Sequence, residues 1–259
     1  MTEGESTLPA SAAPVSAKGH RAACRAALYS LFVQIAASPG ETLAASVCDG
    51  SLRTAIDAAI RGAPPPHRTA LDRELTSALA GGGDPQTTCQ AMLVEYTRFA
   101  GVPLLCPHYE ADLIGGDSFR AVHLVSDVAA FYAAFGVEVS AVAHERPDYI
   151  GVELDFMRLL ASKEAYAAAR GDRRRVRLSR AAQARFFEEH LGRWAPMFAE
   201  NLGRVVDSRF YQAAAHLLLQ FVAAETTYLR VTPRPIEPFA HRPPETTTPA
   251  GVIPLAVVS

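Results

Sequence analysis

Residues 187–205 read FEEHLGRWAPMFAENLGRV, and their large apolar members fall at Phe187, Leu191, Trp194, Phe198, Leu202 and Val205. Steps of four and three place these six on one stripe of an α-helix, where i, i+3 and i+4 neighbours share a face. A strand would show alternation with a period of two, which this stretch lacks. We read the stripe as a core-facing seam, with Ser179 as the candidate cap of the helix that carries it. Pro196 lies inside the seam. It predicts a kink, or a break and restart, because proline lacks an N–H and its ring crowds the preceding turn.

The same period extends in both directions. Downstream, a last helix is expected from about Asp207 to Leu229. Upstream, a helix opening at Pro147 carries Ile150, Leu154, Met157 and Ala161 and closes at Gly171. Before it, Phe119, Val122, Val125, Ala129, Tyr132 and Phe135 mark a helix capped by Asp117 and ended by Gly136. Asp84-Pro85 opens another, to about Ala100, with Asp as cap and Pro at the first helical position. Three more run from about Lys18 to Ala37, Glu41 to Arg61 and His67 to Ala80. Residues 101–116 read as a loop punctuated by Gly and Pro. The expected architecture is all-α: a compact single-domain bundle of about eight or more helices spanning residues 18–230. A disordered lead over 1–17 precedes it, and a Pro/Thr-rich extended tail over 231–259 follows.

Composition narrows the function. Hydrophobic residues make up 49% of the chain and charged residues 20%, enough for a sizeable core. The formal net charge of −2 argues against a general nucleic-acid binder. The four cysteines, Cys24, Cys48, Cys89 and Cys106, form no CxxC pair and fit a reducing compartment. The N-terminus lacks the pattern of a signal peptide and no run reaches the length of a membrane span, so a cytoplasmic protein without stable membrane insertion is expected. Phosphate-loop, dinucleotide, zinc-protease and serine-hydrolase motifs are all missing, and Gly81-Gly82-Gly83 is a turn. Cys106, His108 and Glu110 are too few for a zinc site, where four ligands are usual. His190 and His216 read as helix-face residues. No catalytic residue, cofactor or metal is therefore expected. From Glu95 to Asp155, ten carboxylates face three arginines. Interleaved with Tyr96, Phe99, Tyr109, Tyr132 and Tyr149, they suit a basic, partly apolar peptide.

Four segments carry a resemblance. Glu95-Tyr96-Thr97-Arg98-Phe99 followed by Cys106-Pro107-His108-Tyr109-Glu110 is similar to a signature of the TorD/DmsD family of molybdoenzyme maturation chaperones, related to NarJ. Residues 128–139, VAAFYAAFGVEV, resemble that family's next helix. The run from His144 to Met157, HERPDYIGVELDFM, resembles its most diagnostic stretch, with Tyr149 where the family usually has His. Residues 190–198, HLGRWAPMF, match its "HLxxWxPxF" segment. The resemblance covers about residues 85–229.

It implies an all-helical cytoplasmic chaperone, not an enzyme. Its partner would be the apo catalytic subunit of a molybdenum-cofactor oxidoreductase, grasped in many members by the twin-arginine leader, and it would be a monomer or homodimer. The family ties an Asp-His pair to leader recognition, and Asp148 with Tyr149 occupies that position here. We therefore expect the loop 101–116 and the start of the Pro147 helix to lie together. The expected client site comprises Tyr96, Phe99, Tyr109, Glu110, Asp112, Asp148, Tyr149 and Glu153, with its acids facing the peptide. The competing readings are a metal- or nucleotide-dependent hydrolase around His108, Glu110 and Asp112, and a helical ligand-binding regulator.

Overall fold

The computed structural model describes residues 17–71, 77–79, 81–101, 106–114, 118–140 and 144–236. Residues 1–16 of the expected lead over 1–17, the cap at Asp117 and the tail beyond residue 236 lie outside these, while Ala17 already opens the first helix. The fold is all-α: α1 (Ala17–Ala36), α2 (Glu41–Cys48), α3 (Ser51–Gly62), α4 (Pro65–Ala70), α5 (Pro85–Ala100), α6 (Ser118–Ala134), α7 (Ile150–Ala169), α8 (Arg173–Phe186), α9 (Gly192–Val205) and α10 (Arg209–Leu229). A 3-10 turn spans Glu110–Leu113, and a π turn, Phe187–Leu191, joins α8 to α9. No single helix among the described residues is long and apolar enough to cross a membrane.

The core forms around α1, which lies along α7. The buried residues Leu28, Tyr29, Phe32 and Ile35 of α1 share this core with Leu154, Met157 and Leu160 of α7. Helix α10 packs on α9, and its Leu217, Leu218 and Val222 are buried; its Phe221 meets Tyr29 and Phe32 of α1 and His67 of α4, while α8 packs on α7. Helices α2 and α5 pair at one side. The Asp84 cap acts as the sequence implies: its carboxylate accepts the Thr87 N–H at 2.8 Å, with Pro85 opening α5.

Several boundaries differ from the sequence reading, each for a local reason. The segment from Glu41 divides into α2 and α3 at Gly50, whose φ of 75° is a left-handed turn that glycine adopts without strain. The third helix starts earlier, with Pro65 and Pro66 in its first turn; residues 72–76 and 80 of the expected span are not described. Asp172, not Ser179, caps α8 by accepting the Arg175 N–H at 2.9 Å, and Ser179 is buried within the helix. Pro147 does not open α7, which begins after Tyr149. Pro196 breaks nothing: it sits inside α9, just beyond the π turn, and Arg193 Nη1 donates to the Glu189 carbonyl at 3.1 Å. Nor is the start of the tail free. Arg230 turns the chain with φ 58°, Thr232 N–H donates to Glu188 at 3.1 Å, Ile236 N–H donates to the Arg193 carbonyl at 3.1 Å, and Ile236 is buried.

A buried polar network ties five of these elements together. Arg25 of α1 donates to Glu225 of α10 through Nε at 2.6 Å and through Nη2. Tyr29 Oη donates to Glu225 Oε2 at 2.6 Å, and His67 Nε2 of α4 lies 2.6 Å from Glu225 Oε1. Arg25 Nη1 also reaches Glu164 of α7 at 3.5 Å, and Glu164 accepts from Arg180 at 2.6 Å and from Gln183 at 3.0 Å.

Candidate functional site

The loop before the 3-10 turn and the start of α7 do lie together. Tyr109 and Tyr149 form an isolated antiparallel bridge, in which Glu110 N–H donates to the Asp148 carbonyl at 3.0 Å and Ile150 N–H donates to the His108 carbonyl at 2.9 Å. His108 is sandwiched: its ring stacks on Phe99 at 5.5 Å and on Tyr149 at 6.3 Å between centroids. Burial lowers its basicity and keeps the imidazole neutral. Tyr149 fills the space above Gly151, where a Cβ would come within 2.6 Å of its ring, and its hydroxyl donates to the Ala36 carbonyl at the end of α1.

The expected client-facing acids are mostly not at the surface. Glu110, Asp148 and Glu153 are fully buried, as is Phe99; Tyr149 is nearly so; Tyr96 and Tyr109 are half-buried; only Asp112 is exposed. The physical reason is that each buried acid has its own internal partner. Asp148 accepts the Ala111 N–H at 3.0 Å and a two-pronged contact from Arg146 at 2.9 and 2.6 Å. Glu110 lies 3.0 Å from His190 Nδ1 and 3.8 Å from Arg193. Glu153 accepts the Trp194 indole N–H at 3.1 Å. Asp148 is thereby a specific clamp on the 3-10 turn. His190, Arg193 and Trp194 all belong to the "HLxxWxPxF"-like segment, which is the signal that points to them.

Burial and the neighbouring Glu110 charge push the Glu153 carboxyl well above the usual range. A carboxyl raised in the folded state binds its proton more tightly there than in the unfolded chain. Its contribution to stability is therefore fully present below the unfolded value, about 4.3, and is lost as pH rises through the folded one. Glu153→Gln keeps an acceptor for Trp194 and cannot ionise. The variant should melt higher than wild type at neutral pH, and the gap should widen between pH 5 and 8. Thermal melts across that range check it; a gap that closes as pH rises would mean Glu153 is ionised in the fold.

The accessible features lie beside this cluster. Arg146 spans Asp148 and Asp112, the latter at 3.1 Å, and stacks 4.5 Å above the Tyr109 ring, whose hydroxyl donates to Glu145 at 2.8 Å. Next to Glu145 and Tyr149 opens a groove of about 520 Å³ between the end of α1, residues 137–140 and the first turns of α7. Val33, Val137, Val139, Val152 and Leu159 line it, and Glu138, Glu145 and Asp155 stand along it. A second cleft, of about 1320 Å³, lies between α6, the π turn and residues 232–236. Cys106 and His108 are both buried, and burial pushes the Cys106 thiol up to about 12. Among the described residues His108, Glu110 and Asp112 do not fall within one group that could hold a metal ion.

Comparison with known proteins gives consistent likenesses. A family model described as nitrate reductase delta subunit matches residues 68–200. A perchlorate reductase assembly chaperone protein of Dechloromonas aromatica is 31% identical over 101 residues, covering 39% of this chain and 44% of its own length. The chaperone protein TorD of Vibrio parahaemolyticus is 31% identical over 123 residues, covering 47% and 55%. That of Vibrio cholerae is 35% identical over 92 residues, covering 35% and 40%. The chain thus spans about half the length of the curated relatives it matches. No solved structure gave a significant match.

Proposed function

The chain belongs to the nitrate reductase delta subunit family, and from that premise we propose that it is an assembly chaperone rather than an enzyme. It binds the apo catalytic subunit of a molybdenum-cofactor oxidoreductase in the cytoplasm, grips that subunit's twin-arginine leader, and holds it until the cofactor is inserted. The observation that carries the leader reading is the groove at the start of α7. Its walls are apolar and its three carboxylates, at Glu138, Glu145 and Asp155, outnumber its one arginine, Arg158, which donates to Asp155 at 2.6 Å; that balance suits a peptide with a basic head and an apolar middle. In this reading Tyr109 and Asp112 extend the acidic surface. The buried Phe99, Glu110, Asp148 and Glu153, with Tyr96 and Tyr149, hold the groove in shape rather than touch the client.

A peptide carrying a twin-arginine leader should bind saturably, and more weakly as salt rises, because the charged contacts are partly exposed. Glu145→Gln and Asp155→Asn should each lower affinity by about 1 kcal/mol, the scale of one charge-assisted contact at a wet site, without moving the melting midpoint. Asp148→Asn, which loosens the clamp on the 3-10 turn, should instead lower the midpoint first. Calorimetric titration and thermal melts of the same proteins check both parts. Wild-type affinity in both rim variants would place the client elsewhere.

A further inference from the structure

We propose that Asp127, Glu189 and His190 form a binding site for a divalent first-row transition-metal ion of the zinc type, in the cleft between α6 and the π turn. The inference is independent of the chaperone reading. One ligand atom from each of the three side chains lies within 4.8 Å of the others. Asp127 comes from α6, while Glu189 and His190 are neighbours in the π turn. On a regular α-helix, adjacent side chains diverge by about 100°. The π turn departs from that spacing where both must serve one centre, and π turns often mark functional sites.

The imidazole supplies the second, independent observation. His190 is 3% exposed, and its Nδ1 lies 3.0 Å from the wholly buried carboxylate of Glu110. With Nδ1 donating to that carboxylate, the Nε2 lone pair faces the cluster, 3.4 Å from Asp127 Oδ2. Nε2 is buried yet makes no hydrogen bond. A histidine oriented through one nitrogen by a buried carboxylate, with the other aimed at two further carboxylates, is the carboxylate–histidine–metal arrangement. One imidazole and two carboxylates suit zinc or its neighbours better than magnesium, which prefers oxygen alone. The open cleft leaves room for water, and His123, one turn before Asp127 on α6, lines the same cleft.

The surrounding cations set the affinity. Arg185 Nε donates to the Glu189 carboxylate at 2.9 and 3.1 Å, but the pair is solvent-exposed and weak, so a divalent ion displaces it. Arg193 stands 3.8 Å from Glu110, and Arg120 and Arg234 also line the cleft. Their charge makes this an exchangeable site rather than a structural zinc.

The test uses the full chain, stripped of metal with a chelator, with zinc alone as the probe in calorimetry and cobalt for visible absorption. One zinc per chain is expected, with cobalt absorption bands at the same stoichiometry and no competition from magnesium. Asp127→Asn combined with Glu189→Gln alters only surface carboxylates and should weaken zinc by about tenfold or more with the melting midpoint of the metal-free protein unchanged. Glu110→Gln should weaken it through the orientation of His190. The double variant should keep wild-type affinity for the leader peptide, which separates this site from the groove. No saturable zinc binding would overturn the proposal, leaving His190 simply held between Glu110 and Asp127. Unchanged zinc affinity in the double variant would overturn it equally, because the ion would then sit elsewhere.

Discussion

Glu225→Ala should destabilise the fold by about 3–5 kcal/mol, the cost of leaving a buried partner charge uncompensated. Arg25 and Glu225 are both fully buried, and Glu225 also receives Tyr29 and faces His67. Without Glu225, the Arg25 guanidinium keeps the 3.5 Å contact with Glu164 and its place 4.3 Å over the Tyr228 ring, neither of which replaces the lost two-pronged pair. Burial alone would raise the Glu225 carboxyl, but Arg25 and then His67 hold it well below the usual carboxylate range. A depressed folded value means the stabilisation is present above the unfolded value, about 4.3, and is lost as pH falls toward the folded one. The difference between wild type and Glu225→Gln should therefore shrink as pH drops below about 4.3. Arg25→Met alone should be about as damaging as Glu225→Ala. The double variant should be less damaged than the sum of the two, because an absent pair strands no charge. Denaturant melts of the four proteins complete the cycle. Strict additivity would mean that the network is not a coupled unit.

None of that network is legible in the sequence, and the reason is separation. Arg25, His67, Glu164 and Glu225 sit in four different helical stretches, and each alone reads as a solvated charge on a helix face. The same ambiguity put Glu110, Asp148 and Glu153 on the client surface: a local excess of acid describes the chain, while burial depends on partners far along it. His190 and Trp194, which pair with Glu110 and Glu153, come from beyond α8. Periodicity, by contrast, is local. The Phe187–Val205 stripe, the α7 stripe and the Asp84-Pro85 start all survive in the structure because their causes lie within a few residues. Ser179 is a residue type that caps helices, but it lies inside α8, and the Asp172 carboxylate beside the Gly171 turn takes the role instead. The π turn is invisible to a reading at fixed 3.6 spacing, although it brings Glu189 and His190 to one side. The juxtaposition of the 106–110 loop with the start of α7 was legible only through the motifs both segments carry. The groove beside them was not, since Val137 and Val139 follow the helix end at Gly136 and no periodicity says where a non-helical segment lies.

The seam that decides the fold is tested most directly at Trp194. Its side chain has no solvent exposure, its ring meets Phe198 at 6.2 Å between centroids, and its N–H donates to Glu153 at 3.1 Å. Trp194→Ala removes the largest fully buried side chain and leaves a cavity, for an expected cost of about 3–5 kcal/mol. For a chain of this size that should lower the melting midpoint by about 10 °C. Trp194→Phe separates the two contributions. It keeps most of the packing but leaves Glu153 without a donor, and should cost about 1–3 kcal/mol. Because Glu153 lies one turn into the helix that walls the groove, the Phe variant should also weaken leader binding if that hydrogen bond holds the start of α7 in place. A Phe variant as damaged as the Ala variant would show that the hydrogen bond outweighs the packing. An unchanged midpoint in the Ala variant would mean that the four-and-three stripe does not face the core, and the helical reading that began with residues 187–205 would fall with it.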